Sequence, residues 1–561
     1  MNGSKKLRVG LIVDDSDQSN LAWDIFERSK RAEHYEIDAL VVNRHPGSGP
    51  QLGRWSRLAN EIRTRGFNQF ARRVGYGLLF RLEKAALTRN GDHGDCFRSH
   101  PLEKFDARRI YVTPTVSPSG LMYSYADEEL ARIKDAGLDV LVRCGGGILK
   151  GGVLEICRFG VLSFHHADND VNRGGPPGFW EVFHKQPATG FIIQRLTEEL
   201  DGGDVLVKGS VATSALYLLN QIRLYAKSKV FMHLLLEKIG AAQALPPAHP
   251  KRPHAYQLYK MPGLAQQLRY FLYFAQFVAG TSFNRKINRT YRWGIAYVFA
   301  DSWRSAVLRK AVAIKNPPHR FLADPFVIRR GDAHYCFVED FDYALGRAAI
   351  GVYRIEKSGH SYMGTAVEED FHLSFPYLFE EAGELYMCPE TVQAREVRIY
   401  RCVHFPLSWE LHKVLMRDTE AVDSCLFKHG GKWWMLTNID TSASGDYGSE
   451  LHAFYADSFD SQDWTAHPNN PLVFDSTCAR NGGMIFDADG IYRVFQVQGF
   501  HLYGEAMGVA RITQLSETTY AEEVVADIPA KFIHGISGAH TFSFHQGLVV
   551  LDVVRLERTS H

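Results

Sequence analysis

The chain has 561 residues, 45% of them apolar and 23% charged, a globular composition with room for about two to four domains. Its 64 basic and 63 acidic residues nearly cancel, which excludes nucleic-acid coating or polyanion binding as the main role. The eight cysteines are scattered without paired spacing, so neither a disulfide framework nor a zinc site is signalled, and a cytoplasmic protein with reduced thiols and no metal is expected.

The opening MNGSKKLRVGLIVDD has only a short apolar run before Asp14 and Asp15. It fails as a signal peptide and reads as a first strand, Arg8 to Val13. A helix from Leu21 to Glu33 and strands from Ile37 to Val42 and Val140 to Arg143 follow, an alternation that predicts an α/β domain over residues 1–240. A basic insertion at about 50–105 interrupts it, with Arg57, Arg63, Arg65, Arg72, Arg73 and Arg81 interleaved with Phe67, Phe70, Val74, Leu78 and Leu79. Two readings stand: a packed helix pair with a solvated basic face, or a surface for an anionic substrate group or a membrane.

The segment from Gly160 to Leu206 concentrates the chemistry. Gly160 to Phe164 is an apolar run, and His165 falls where that strand opens into a loop. A second run, Phe191 to Leu196, precedes Asp201, Gly202 and Gly203. Both polar groups then leave strands at one sheet edge, where open α/β sheets keep their sites. His166 alternates to the opposite face and reads as structural. Asp168 and Asp170 read as turn residues rather than metal ligands. Residues 213–240 form an amphipathic helix, and 241–289 are expected as a linker, proline-rich at first and then a bridging helix. The most apolar stretch, Leu268 to Ala279, is broken by Arg269 and Gln276 and falls short of the ~20 residues that span a bilayer.

From residue 290 to 561 five similar units repeat, LADPFVIRRGDAHYCFVED, LSFPYLFEEAGELYMCPET, VDSCLFKHGGKWWMLTNID, RNGGMIFDADGIYRVFQVQ and SGAHTFSFHQGLVVLDVVR. Each is an apolar strand, a turn and a second apolar strand, at a spacing of about fifty residues, the size of a four-stranded blade. An all-β five-bladed propeller is expected, its ring closed by a strand from Trp293 to Phe299. Strand starts crowd a propeller's axis, so Asp324, His372, Asp423, Arg480 and His540 are expected in one funnel, with Glu390 on a second strand.

Residues 5–240 resemble the folate-dependent formyltransferases, among them the methionyl-tRNA, glycinamide ribonucleotide and sugar N-formyltransferases. Ser163, His165, Arg173 with Gly174, Thr189 with Gly190, and Asp201 with Gly202 and Gly203 match that family's motif, and DVLVRCGGGILKGGVLEI looks like the strand and loop before it. The resemblance implies a Rossmann-type parallel sheet and formyl transfer from 10-formyltetrahydrofolate to a primary amine, as of an amino sugar or nucleotide sugar. It further implies His165 as general base or proton relay, with Asp201 setting the imidazole or holding a water. Gly145, Gly146, Gly147, Ile148 and Leu200 would contact the cofactor. The family's oxyanion-donating Asn is Ser163 here; its hydroxyl can donate one bond, or Asn169 or Asn172 supplies the amide.

The second half resembles family 43 glycoside hydrolases and, more closely, the propeller of the glucosamine inositolphosphorylceramide transferases. Leu322 to Phe326, His372 to Pro376 and Pro389 to Thr391 carry the likeness. It implies Asp324 as base and Glu390 or Asp423 as acid. His372 and Ser374 stand where a hydrolase carboxylate is expected, which favours glycan binding over hydrolysis. A glycoside-processing propeller with a non-catalytic front domain is the alternative.

Overall fold

The structure, a computed structural model, describes residues 6–44, 66–88, 98–199, 202–253, 258–287 and 289–558. Arg57, Arg63 and Arg65 of the insertion lie outside the described residues, as do Leu200 and Asp201. The chain falls into two units, one running to Phe274 and one from Ala275, apart from Thr441–Ser444. The stretch expected as a linker therefore contributes to the first unit as far as Phe274.

Short runs of Val, Ile and Leu bury both faces of the strands in the first unit. The strands are β1 (Leu7–Asp14), β2 (Tyr35–Asn43), β3 (Arg108–Val112), β4 (Val140–Arg143), β5 (Val161–His165), β6 (Ala188–Arg195) and β7 (Asp204–Ala212). They form one sheet in the order β7-β6-β5-β4-β1-β2-β3. The pairs among β5, β4, β1, β2 and β3 are parallel, whereas β6 runs antiparallel to both β5 and β7. The expected parallel sheet is thus a mixed one. The connection from β5 to β6 carries the six-residue helix α4 (Phe179–His184) and returns the chain antiparallel beside β5.

The other helices are α1 (Asn20–Ser29), α2 (Phe67–Thr88), α3 (Asp127–Lys134), α5 (Tyr217–Ala242) and α6 (Leu264–Lys286). α5 lays Leu224, Phe231, Leu235 and Ile239 inward and packs on β6, β7 and α1. On the opposite side Ile133, Leu149, Val153 and Cys157 close over Ile12, Val41 and Leu141. The described cysteines are all free.

In the second unit the repeat folds as five antiparallel sheets. The first holds β10 (Arg320–Arg330), β11 (Ala333–Asp342), β12 (Arg347–Glu356) and β13 (Gly359–Val367). The second holds β14 (Ser374–Glu381), β15 (Glu384–Glu390), β16 (Glu396–His404) and β17 (Ser408–Arg417). The third is built from β18 (Ala421–His429), β19 (Lys432–Ile439), β20 (Glu450–Ala456), β21 (Thr465–Ala466) and β22 (Val473–Phe474), and the fourth from β23 (Asn481–Asp487), β24 (Gly490–Gly499), β25 (Leu502–Leu515) and β26 (Tyr520–Pro529). The fifth joins β8 (Arg289–Phe299) and β9 (Val312–Ala313) to β27 (Phe542–His545) and β28 (Leu548–Arg558). β8 pairs with β28 along its whole length, from Arg289 opposite Arg558 to Phe299 opposite Leu548, so the expected closing strand ties the unit's two ends together. No sheet closes on itself, but β10, β14, β18, β23 and β27 neighbour one another in that order and β27 neighbours β10.

The same defect recurs in these first strands. The ladder slips between Ala323 and Phe326, Ser374 and Tyr377, Val422 and Cys425, and Asn481 and Gly483. At the slip Asp324, Phe375 and Asp423 take φ of 48, 46 and 51 degrees, left-handed values that cost a non-glycine residue about 1–2 kcal/mol. The strain is held by hydrogen bonds to the two aspartates.

Candidate functional site

In the first unit β4 and β5 end side by side with Arg143 opposite Ser163, and His165 closes β5 opposite Ile192 of β6. Ser163 is buried; its Oγ accepts from Arg143 Nε at 2.9 Å and donates to the Phe164 carbonyl at 3.1 Å. Arg143 Nη1 donates to the Gly147 carbonyl at 3.0 Å. Among the described residues no carboxylate pairs with Arg143, and burial pulls its guanidinium below its ordinary value.

A cavity of about 170 Å³ opens at these strand ends. Arg143 and His165 line it together with Ile148, Leu149, Phe164, Leu196 and Gly203. Gln194 Oε1 and Thr197 Oγ1 face the same space; both are buried and have no hydrogen-bond partner among the described residues. The lining sets apolar Ile148, Leu149, Phe164 and Leu196 beside Arg143, Lys150, Gln194, Thr197 and Glu199, a mixture that suits a flat, polar-edged ring such as a pteridine.

The glycines lie behind this wall. Gly146 N donates to Asp14 Oδ2 at 2.9 Å, and a side chain on Gly147 would strike Tyr123 and the Leu121 carbonyl. Their open backbone is therefore spent on packing, and Ile148 is the first residue of the loop to reach the cavity. Of the two asparagines considered as substitutes for the missing amide, Asn172 gives its own to Glu181 Oε1 at 2.7 Å and Asn169 is buried outside the cavity lining. His166 is buried against Phe164 and Tyr225, bonds Ser228 Oγ at 2.9 Å, and is driven by burial down to about 3, as a structural histidine should be. Asp168 Oδ1 caps the Asp170 amide, and both carboxylates pair with Lys208.

The second unit brings Asp324, His372, Glu390, Asp423, Arg480 and His540 into one charged network. Asp324 accepts from Thr541 Oγ1 at 2.7 Å and from the Phe375 amide at 3.3 Å, and so joins the first, second and fifth sheets. Asp423 Oδ2 accepts from Arg480 Nε at 2.7 Å and Gln496 Nε2 at 2.9 Å. Glu390 sits 4.0 Å from Arg480. His372 reaches Glu339 at 3.5 Å, and His540 lies 2.5 Å from Asp552 and 3.6 Å from Asp324, stacked on Trp293. The ligand atoms of Asp324, His540 and Asp552 all fall within 4.8 Å of one another; Asp324 accepts from Thr541 Oγ1, and Asp552 Oδ1 accepts from the backbone amides of His540 and Thr541.

Crowding five carboxylates around two cations sets their titration. Burial lifts Asp324 to about 6 against the pull of His540. Burial, and then the charge of Asp423, holds Glu390 well above the usual carboxylate range; Glu339 is raised by burial and by Asp324. Burial alone would lower His540, but the carboxylates of Asp552 and Asp324 raise it. Half-exposed Tyr503 stands over Arg480 and beside His540.

Glu339, Asp552 and Arg143 escape the sequence reading, though each leaves a trace: an acid inside an apolar run, as in VVLDVVR, or a cation ending one, as in VLVR, is seldom placed there without a partner or a task.

Residues 300–556 match the family model described as Glucosamine inositolphosphorylceramide transferase 1, N-terminal. That match falls almost wholly within the second unit. The chain is 37% identical over 210 residues to Glucosamine inositolphosphorylceramide transferase 1 of Arabidopsis thaliana, covering 36% of this chain and 27% of that protein. It is also 40% identical over 79 residues to methionyl-tRNA formyltransferase of Deinococcus radiodurans, covering 14% of this chain and 25% of that one. The chain thus spans about a quarter of the length of these curated relatives. A family 117 glycoside hydrolase from Zobellia galactanivorans aligns at 9% identity over 47% of this chain and 90% of its own, with a TM-score of 0.32, too slight a likeness to argue from.

Proposed function

We propose that the first unit is a formyltransferase-like enzyme that moves a formyl group from 10-formyltetrahydrofolate to a primary amine. The observation that carries this reading is the meeting of Arg143 and His165 in one cavity at the carboxyl ends of adjacent strands, where Gln194 Oε1 and Thr197 Oγ1 have no hydrogen-bond partner among the described residues. The formyltransferase likeness supports it from the sequence side. When bound, the folate supplies an activated formyl carbon. His165 removes the proton that the attacking amine must lose, a role worth about 10²-fold to 10⁴-fold. Arg143, held by Ser163 and the Gly147 carbonyl, donates to the oxygen that gains negative charge, replacing the amide the family uses there. Ser163 is then a positioning residue.

An amino sugar is the acceptor we favour, because the matching relative's name carries glucosamine. For the second unit we propose a five-bladed β-propeller whose centre binds a glycan. Charged and hydrogen-bonding groups converge there, Glu390, Asp423 and Arg480 among them, and half-exposed Tyr503 beside them presents an aromatic surface to a sugar ring. The deciding experiment is formyl transfer to glucosamine with 10-formyltetrahydrofolate as donor. Product from the native chain and none from His165→Ala supports the reading. No product from glucosamine or a panel of other amino sugars, at saturating donor, overturns it.

A further inference from the structure

Helices α2 and α6 leave apolar stripes in water. On α2, Phe67, Val74 and Leu78 recur at spacings of seven and four and align along one face, while Leu79, Glu83 and Leu87 on the other are buried. On α6, Leu264, Leu268 and Leu272 do the same, opposite buried Gln267 and Tyr270. The exposure is large: 57% for Leu78 and 59% for Leu268.

Neither helix can rotate to hide its stripe, because the inner faces are locked together. Glu83 accepts from the Tyr270 hydroxyl and from the Leu218 amide, and Gln267 Nε2 donates to the Arg72 carbonyl at 2.8 Å. Gly75 completes the lock, since a side chain there would strike Gln267 and touch Leu264. The charge is one-sided. Beside the stripes α2 presents exposed Arg81 and α6 exposed Arg269, while the one acid of α2, Glu83, is turned inward and α6 has none before Phe274. No described helix is long and apolar enough to cross a membrane.

We propose that this ridge is an interfacial membrane-binding surface, lying on a bilayer that contains anionic lipid. An apolar stripe flanked by cations, with no outward acid, matches the depth profile of such a bilayer, where acyl chains lie below a negative headgroup layer. The proposal is independent of the acyl-transfer reading.

The test is co-sedimentation of the full chain with vesicles of phosphatidylcholine alone or with about one-third phosphatidylserine. Binding is expected to the serine-containing vesicles, weakened about fivefold by Arg81→Gln and by salt, and lost in Leu78→Glu and Leu268→Glu. Both leucines are more than half exposed, so these variants should keep the native circular dichroism spectrum and melting temperature, which are measured alongside. No sedimentation with either vesicle overturns the proposal, as does binding unchanged by Leu78→Glu. A dimer in light scattering that these substitutions dissolve, without vesicle binding, also overturns it and assigns the ridge to a second copy of the chain.

Discussion

Arg143 donates its Nε proton to Ser163 Oγ across 2.9 Å, and the two residues pair directly in register at the ends of neighbouring parallel strands. A half-buried guanidinium with no carboxylate beside it among the described residues has given up part of its hydration, a cost that an arriving anion offsets. Arg143→Met should therefore leave the melting temperature unchanged or raised, while kcat for formyl transfer falls about 10²-fold to 10³-fold. Ser163→Ala should lower kcat less, and the double variant should be no worse than Arg143→Met alone. A melting curve and a double-mutant cycle on kcat check both halves.

His165→Ala should lose about 10²-fold to 10⁴-fold in kcat with little change in the affinity for the amine, because the imidazole handles a proton rather than the bound ground state. Steady-state kinetics across amine concentrations reads the split.

Glu339 has its carboxyl raised well above the usual range by burial and by the charge of Asp324. A raised carboxyl binds its proton more tightly folded than unfolded, so it costs nothing below the unfolded value near 4.3 and costs progressively more as pH rises above it. Glu339→Gln should accordingly stabilise the protein at pH 7, by an amount that shrinks as pH is lowered and vanishes near pH 4. Thermal melts of both proteins across that range provide the comparison.

Arg480 bonds Asp423 at 2.7 Å and stands 4.0 Å from Glu390; Asp423 is buried and the other two side chains are 14% and 11% exposed. Removing the cation by Arg480→Met leaves two carboxyls to each other, and a loss of about 3–5 kcal/mol is expected. Urea denaturation followed by tryptophan fluorescence measures it.

β28 supplies the whole partner ladder of β8. A chain truncated after Gly547 should lose the fold of the second unit, which limited proteolysis would reveal as rapid digestion from Ala275 onward.

Much of this architecture was legible in the linear pattern. Alternation of aliphatic runs with helices marked the first unit, and the repeated strand–turn–strand units marked five sheets and their first strands, because period and turn chemistry are local properties. His165 at a strand end and Asp324, Asp423, Arg480 and His540 at strand starts were visible for the same reason. The antiparallel β6 was not, since an apolar run reads the same whichever way its strand is laid in the sheet. Nor were Arg143, Glu339 and Asp552: each is an unremarkable charge in sequence, and only the register of β4 beside β5, or the slipped first strands of the second unit, brings it within reach of its partners. The sequence alone determined which segments pair and where reactive groups leave the strands. Tertiary structure decided which of those groups share a cavity or a charge network, because desolvation and long-range register act only once the sheets have formed.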